Sequence, residues 1–159
     1  MLIHYVAVVG TENVHGVFHF RFSLVSQKSN TEFESVRIDM QPDFREPDFS
    51  MRGFAQIEYK PYSFSWNSGP RPFVKPVRPG MTVGMLLNII FDRHELDKYI
   101  FVQPGLGCRH WCACVLDRLA GDGVIDANVS QEFANREIEE HGRFGWKFPM
   151  PRIMGSFYH

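Results

Sequence analysis

The sequence has almost no excess of charge and no long apolar run. Seventeen Lys and Arg residues are balanced by eighteen Asp and Glu residues, the formal net charge is −1, and the basic residues form no run. Phosphate backbones are bound mainly by clustered positive charge, so we expect no nucleic-acid partner. No stretch approaches the length of a membrane-spanning helix, and the first residues lack the basic start and cleavage site of a secretion signal. We therefore expect a soluble, cytoplasmic protein without a membrane span.

Cysteine is scarce and confined to one segment. Cys108, Cys112 and Cys114 lie within seven positions of each other. A disulfide framework uses an even number of cysteines to join distant loops, so this pattern predicts reduced thiols. Together with His110 the three thiols resemble a zinc ligand set, but side chains on one helix diverge and cannot form a tetrahedron. We expect no metal and no other cofactor.

Aromatic residues are abundant in this chain of 159 residues. Fifteen Phe, five Tyr and three Trp exceed what a core of this size requires, so some are expected to line a pocket or an interface. The length and the 44% hydrophobic content suit one globular domain. Its parts are a sheet-rich region at 1–60, a proline-rich loop at 61–80, a helical region at 82–142 and an aromatic arm at 143–159.

The first sixty residues are rich in β-branched and aromatic residues and predict an antiparallel sheet. The expected strands lie at 3–9, 17–25, 33–40 and 54–59. With about three helices after them, the fold class is α+β, and the sheet is expected to be open or to curl toward a barrel. Residues 61–80 hold five of the ten prolines, which predicts a loop over the surface.

The second half of the chain predicts helices. Thr82 is expected to cap a helix of about three turns, and a short strand follows at 99–103. Further helices are predicted at 108–119 and 128–142, the second with a capping box made by Asn128 and Gln131. In the arm, large apolar residues alternate with polar or small ones from Phe144 to Met150, as in a strand or a segment laid on an apolar surface.

The segment "GLGCRHWCACVLDRLAG" (105–121) has two interpretations. One face of its helix is apolar, so its cysteines are candidates for simple core packing; the face holds Cys108, Trp111, Cys112, Val115, Leu116 and Leu119. Cys108 also lies in the first turn, where free backbone amides and the helix dipole favour a thiolate. Gly107, directly before it, offers an amide for an oxyanion. The sequence leaves both interpretations open.

A nucleophilic cysteine needs a base, and His19 is the candidate. In "VFHFRFSLV" His19 and Arg21 lie on the polar face of a strand, and Asp39 lies on the polar face of "FESVRIDM". One register that matches the apolar faces sets His19 opposite Asp39, which would orient the imidazole; a shift of two residues pairs Asp39 with Arg21 instead. A polar-face histidine meets a cysteine on an apolar helix stripe only if the helix start caps that face or if the sheet curls enough to bring the face round.

Two motifs resemble a known family. "GCRHWC" is similar to the N-C-E-H-F signature of the lecithin:retinol acyltransferase-like group, in the circularly permuted branch of the NlpC/P60 papain-like superfamily, and "HFRFSL" is similar to its strand motif H-Y-G-I-Y. Here Gly107 replaces the usual asparagine and Arg109 the usual acidic residue. The resemblance implies that Cys108 is the nucleophile and His19 the general base. "SVRIDM", "GCRHW" and "PRIMGSFY" more loosely resemble small fungal proteins, which implies a fungal source and a role near secondary metabolism.

Three functions are compatible with these features. The first is a cysteine-dependent hydrolase or acyltransferase for an apolar small-molecule substrate, with Cys108, His19 and Asp39 as its catalytic residues. The second is a cyclase or isomerase with an aromatic pocket and no covalent step. The third is a binding protein that forms a homo-oligomer or docks a partner through the C-terminal arm. Expected substrate contacts are Arg21, Tyr59, Trp66 and Trp111.

Overall fold

Five antiparallel strands and three helices form an α+β fold in the computed structural model, which describes residues 1–12, 16–45, 50–64 and 69–159. The predicted fold class is confirmed. Trp66, an expected substrate contact, lies outside the described residues. The strands of the main sheet are β1 (Tyr5–Glu12), β2 (Phe18–Gln27), β3 (Phe33–Pro42), β4 (Gly53–Lys60) and β5 (Phe73–Pro76).

The sheet has the order β4, β3, β2, β1, β5 and is open, with β4 and β5 at its edges. The expected curl toward a barrel therefore does not reach closure. Alternation of side chains sets the two faces: Phe20, Phe22 and Leu24 of β2 are buried on the face that meets the helices. The opposite face carries His19 and Arg21 of the same strand.

Strand β5 lies inside the region predicted as a loop, so that prediction is wrong for residues 73–76. These residues pair with β1, from Tyr5 opposite Pro76 to Val8 opposite Phe73. Proline is compatible with an edge strand because one side of that strand needs no hydrogen-bond donors. Phe73 is buried and packs edge-on against Phe133, and this burial outweighs the proline content of the segment.

The helices are α1 (Val83–Leu87), α2 (Cys108–Gly121) and α3 (Val129–Phe144), with a π-helical segment at Asn88–Arg93 directly after α1. The predicted cap is confirmed, since the Thr82 hydroxyl accepts a hydrogen bond from the Met85 amide. The predicted capping box is wrong. Asn128 precedes α3 but its backbone is not extended, as a capping residue needs, and the Gln131 side chain instead donates to Asn135.

A two-stranded ladder joins the C-terminal arm to the body of the protein. Strand β6 (Tyr99–Ile100) pairs with β7 (Ser156–Phe157), and β6 is shorter than predicted because Val102 turns back to bond Leu106. The predicted alternation of the arm fails at Trp146, which is 67% exposed. Residues 145–147 form a 3₁₀ turn, which does not follow the two-residue repeat of a strand.

The core lies between the sheet and helices α2 and α3. Helix α2 contacts β2 and β3, and α3 packs against α2 and β5. The buried residues that α2 contributes include Trp111, Cys112, Val115, Leu116 and Leu119. The predicted apolar stripe of α2 is therefore confirmed, and the start of this helix lies against the first residues of β2.

Candidate active site

Strands β2 and β3 are paired along only part of their length. Their ladder runs from Phe22 opposite Ile38 to Gln27 opposite Phe33, although β2 begins at Phe18 and β3 extends to Pro42. Beyond Phe22 the Phe20 amide donates to the sulfur of Cys108 at 3.3 Å. The first residue of α2 thus accepts a strand amide at the point where the ladder between β2 and β3 has ended.

The start of α2 is held in place by Gly107 and Tyr99. Gly107 has φ of 128°, a conformation that favours glycine, and a Cβ there would lie 3.0 Å from the Tyr99 hydroxyl. The Tyr99 hydroxyl donates to the Gly107 carbonyl at 2.7 Å and accepts from the Gly155 amide at 3.0 Å. One buried phenol therefore ties the segment before Cys108 to the C-terminal arm.

His19, Asp39 and Arg21 form one hydrogen-bonded group on the polar face of the sheet. His19 Nε2 lies 2.7 Å from Asp39 Oδ1, and Arg21 Nε donates to Asp39 Oδ2 at 2.8 Å. The register that sets His19 directly opposite Asp39 is wrong: the observed ladder is shifted by two residues and, extended, sets Arg21 opposite Asp39. Asp39 still reaches His19, because diagonal neighbours on one face are within reach of long side chains. It is also mostly buried, so its contact with Arg21 is not a surface salt bridge.

The imidazole of His19 also interacts with the thiol of Cys108, and each group shifts the pKa of the other. Nε2 of the same ring is engaged by Asp39, so His19 links the carboxylate to the thiol. This contact resolves the conflict between an apolar helix stripe and a polar sheet face. Cys108 lies at the end of the stripe, where the helix start reaches the gap between β2 and β3.

The two groups shift each other's protonation. Burial opposes a charge on His19, but its hydrogen bonds to Asp39 and Cys108 raise its pKa to about 9. Burial likewise opposes a thiolate at Cys108, yet the hydrogen bond and charge of His19, with the Phe20 amide, lower the pKa of this thiol. The pKa of Asp39 is lowered against its burial by His19 and Arg21. The arrangement therefore stabilises a pair of thiolate and imidazolium relative to the two neutral groups.

The other two cysteines differ from Cys108. Cys112 is fully buried in the core, and burial raises its pKa well above the usual value. Cys114 contacts His110 on the same helix, with 3.4 Å between Sγ and Nε2, and burial raises its pKa too. Of the three thiols, Cys108 has the lowered pKa, while Cys112 fits the packing interpretation of the segment.

A narrow apolar cleft opens at the Cys108 thiol. Its cavity volume is about 30 Å³, and its walls are formed by Val17, Phe18, Phe20, Leu106, Gly107, Cys108, Arg109, Pro149 and Ile153. This volume suffices for a water molecule or two. Cys108 and Gly107 both line the cleft, and the amides of the first turn of α2 have no carbonyl partner within the helix. The cleft thus brings a nucleophile and candidate oxyanion donors to one opening.

One wall of the cleft is fixed by a buried ion pair that sequence reasoning did not identify. Arg109 Nε lies 2.7 Å from Glu137 Oε2, and both side chains are almost fully buried. The guanidinium of Arg109 also stacks over the ring of Phe148 at 4.0 Å. Arg152 of the arm binds the same carboxylate at 2.8 Å. The sequence signal was Glu137, a charged residue at a position that faces the core in the α3 pattern.

Of the described residues that the sequence predicts as substrate contacts, only Arg21 lies near the Cys108, His19 and Asp39 group. Arg21 belongs to the Asp39 group, but Trp111 is buried in the core, where its indole donates to the Leu96 carbonyl at 2.7 Å. Tyr59 binds Glu34 at 2.9 Å and lines a different surface groove, with Lys28 and Phe33. Trp111 and Tyr59 therefore do not contact the Cys108 cleft.

No metal site is seen in the part of the chain that the structure describes, where no three His, Cys, Asp or Glu side chains are grouped to hold an ion. The suggested zinc ligands separate: Cys108 contacts His19, whereas Cys112 lies in the core. Within the same described ranges, no helix is long and apolar enough to cross a membrane.

Comparison with known proteins gives one family and no annotated relative. A family model described as "Domain of unknown function (DUF7770)" matches residues 3–158. No curated protein and no solved structure matches the chain. The geometry of the site must therefore carry any argument about function.

Proposed function

We propose that this chain, which belongs to the DUF7770 family of domains of unknown function, is a cysteine-dependent hydrolase or acyltransferase. The observation that carries the proposal is the series Cys108, His19, Asp39, in which His19 bonds Asp39 at 2.7 Å and lowers the pKa of the Cys108 thiol at a helix N-terminus. A nucleophile, a base and a group that orients the base are the three parts this chemistry needs. The resemblance of "GCRHWC" and "HFRFSL" to permuted papain-like enzymes supports the same assignment.

The proposed reaction has two steps. The Cys108 thiolate attacks an acyl carbonyl, a carbon to sulfur bond forms, and amides at Gly107 and Cys108 hold the oxyanion. The tetrahedral intermediate collapses as the bond to the leaving group breaks, and His19 gives that group its proton. Water or a second nucleophile then gives a proton to His19, attacks the thioester and releases Cys108. Asp39 keeps the imidazole oriented throughout.

The cleft indicates the kind of substrate. Its walls are mainly apolar and its volume is only about 30 Å³, so a very small apolar acyl group is favoured over a bulky or charged peptide side chain. The reaction requires a free thiol, which is maintained in a reducing compartment. We therefore place the enzyme in the cytoplasm, and it needs no metal or other cofactor for these steps.

The second candidate, a cyclase or isomerase without a covalent step, has weaker support. It requires a roomy cavity lined by aromatic side chains, whereas Phe18 and Phe20 line a cleft of only about 30 Å³ and also pack edge-to-face on Phe144 and Phe148. The third candidate, association through the arm, has the exposed Trp146 in its favour. It predicts a dimer that is lost when residues 143–159 are deleted, which light scattering measures.

Two measurements on the thiols test the proposal. We expect iodoacetamide to label Cys108 fastest, with an apparent pKa below about 8.5, the value of a free thiol. The His19→Ala variant should shift this pKa upward. The Cys114→Ala variant is the matched control, because it removes a partly exposed thiol of the same helix and should leave the Cys108 profile unchanged.

Acyl transfer to the thiol is the second measurement. We expect p-nitrophenyl acetate to acetylate Cys108, as located by peptide mass spectrometry, and the thioester to be released by water in the wild type. His19→Ala should slow both steps. If Cys108 resists both reagents until the protein unfolds, it serves packing and the proposed function is wrong.

A further inference from the structure

A second pocket lies on the polar face of the sheet. Its base is formed by side chains of β2, β3 and β4, since Ser23 is paired with Arg37 and Ser35 with Lys60 across neighbouring strands. Cross-strand partners point to the same face, so these groups converge. Arg21 lies at its edge, and Tyr62 and Phe64 form a wall. The Cys108 thiol does not line it.

Two buried serine residues line this pocket. Ser23 and Ser35 are 3% and 1% exposed, and both line the pocket. Their hydroxyls are small polar groups that can donate to or accept from a ligand in the pocket. Buried polar groups normally bond a protein group, water or a ligand, so this part of the pocket favours a polar ligand group.

The cations around the pocket have unused donors. Arg37 binds Glu58 through Nη2 at 3.0 Å, while its Nε is buried and has no hydrogen-bond partner. Lys60 shares the same Glu58 carboxylate at 2.8 Å. Arg21 binds Asp39 and Thr11 through Nε and Nη1. A guanidinium carries five N–H donors, so each arginine has donors to spare.

The balance of charge in the pocket is positive. The pocket is lined by three cations, Arg21, Arg37 and Lys60. The two carboxylates that contact these cations, Asp39 and Glu58, do not line the pocket. Convergent arginines, a lysine and hydroxyls are the donor set that binds carboxylates and phosphates, often by two parallel hydrogen bonds. The set contains no acceptor suited to a cation apart from the hydroxyls.

We propose that this pocket binds a small molecule through a carboxylate or phosphate group, held by Arg37, Lys60 and the hydroxyls of Ser23 and Ser35. Tyr62 and Phe64 contact the apolar remainder of the ligand. The cavity volume is about 130 Å³, close to the roughly 150 Å³ of a cavity that takes a benzene ring. A ligand with one ring or short chain and one anionic group matches this size.

The site does not depend on the proposed thiol chemistry, although the two are linked by Arg21. This residue borders the pocket and also holds Asp39, which orients His19. A bound anion competes with Asp39 for Arg21. Occupancy of the pocket is therefore expected to change the rate of Cys108 alkylation, as a secondary effect on a neighbouring site.

Ligand titration followed by NMR tests the site, with phenyl phosphate, benzoate and uncharged benzyl alcohol as probes at constant ionic strength. We expect saturable binding of at least one anion, a shift of the Arg37 Nε–H signal, and little binding of the alcohol. The stronger of the two anions identifies whether phosphate or carboxylate is the preferred group. Hydrogen bonds to charged groups predict that Arg37→Gln and Ser35→Ala each weaken binding about tenfold or more.

Matched controls separate local from general effects. Arg93→Gln removes an exposed arginine outside the pocket, and Ser26→Ala removes a buried hydroxyl of the same strand as Ser23; both should leave binding unchanged. If Arg37→Gln does not fold, Ser35→Ala still decides. Absence of saturable binding, equal binding of the alcohol, or binding unaffected by Ser35→Ala would overturn the proposal, whatever the reactivity of Cys108.

Discussion

The backbone amide of Phe20 donates a hydrogen bond to the sulfur of Cys108, 3.3 Å away and 88 residues later in the chain. This strand amide is not used for pairing with β3, because the ladder between the two strands ends at Phe22. An N–H aimed at sulfur stabilises the thiolate more than the thiol. Because the β2–β3 ladder ends at Phe22, the Phe20 amide is available to stabilise the Cys108 thiolate.

The charge of His19 predicts how Cys108 responds to reagents of different charge. The thiolate becomes available as pH rises through its lowered pKa, and His19 stays protonated until pH passes about 9. Between these values anionic iodoacetate is attracted by the imidazolium, whereas neutral iodoacetamide is not. We expect the ratio of the two alkylation rates to fall severalfold as pH rises through about 9.

The same measurement on His19→Ala supplies the control for this prediction. Without the imidazolium the ratio of rates should vary little around pH 9, because no nearby charge is lost there. A wild-type ratio that is flat across this range would mean that His19 is not charged beside the sulfur.

Asp39→Asn tests the link between the carboxylate and the thiol. An amide cannot stabilise the imidazolium by charge, so the pKa of His19 should fall and that of Cys108 should rise. We expect the Cys108 alkylation rate at pH 7 to fall about tenfold, with the His19 titration followed by NMR. Asp122→Asn is a matched control, since Asp122 contacts His94 at 2.8 Å with no thiol beside that pair.

The sequence predicts the sheet more fully than the site. Alternation places Phe20 and His19 on opposite faces of β2 whichever neighbour the strand pairs with. Both registers of β2 and β3 match apolar with apolar residues, so the pattern cannot choose between them. The choice depends on contacts from distant segments, such as the α2 start at the end of the ladder.

Long-range contacts also explain the residues that sequence reasoning missed. The phenol of Tyr99 bonds Gly107 and Gly155, which lie 8 and 56 residues away, and no local pattern marks such a link. Strand β5 was not predicted because its segment is rich in proline, which is compatible with a strand at the edge of a sheet. The cap at Thr82 was predicted correctly because it depends on residues within one turn.

Gly107→Ala should destabilise the protein. The backbone there has φ of 128°, and an added Cβ would lie 3.0 Å from the Tyr99 hydroxyl and 3.2 Å from the Gly155 amide nitrogen. Backbone strain of this kind costs about 1 to 3 kcal/mol, measured as the change in free energy of unfolding in urea. The Cys108 alkylation rate should fall as well, because the start of α2 must move.

Gly121→Ala is the matched control in the same helix. A Cβ at this position meets nothing within 4 Å, and its φ is not positive. Its stability should therefore stay equal to that of the wild type or rise slightly. Equal losses in both variants would argue against a specific requirement for glycine before Cys108.

Removing the charge of Glu137 should be far more costly than removing a surface carboxylate. Glu137 is 2% exposed and binds both Arg109 and Arg152, so Glu137→Gln leaves the charge of Arg109 buried without its partner. Such losses are typically about 3 to 5 kcal/mol. The exposed pair of Glu95 and Lys98 gives the contrast, because Glu95→Gln should leave the free energy of unfolding nearly unchanged. Arg109 and the arm form one wall of the Cys108 cleft. We therefore also expect Glu137→Gln to change the rate at which alkylating reagents reach Cys108, measured under conditions where the variant is still folded. If Glu137→Gln changed the free energy of unfolding no more than Glu95→Gln does, Arg109 would have found water or another acceptor. The wall of the cleft would then not depend on Glu137.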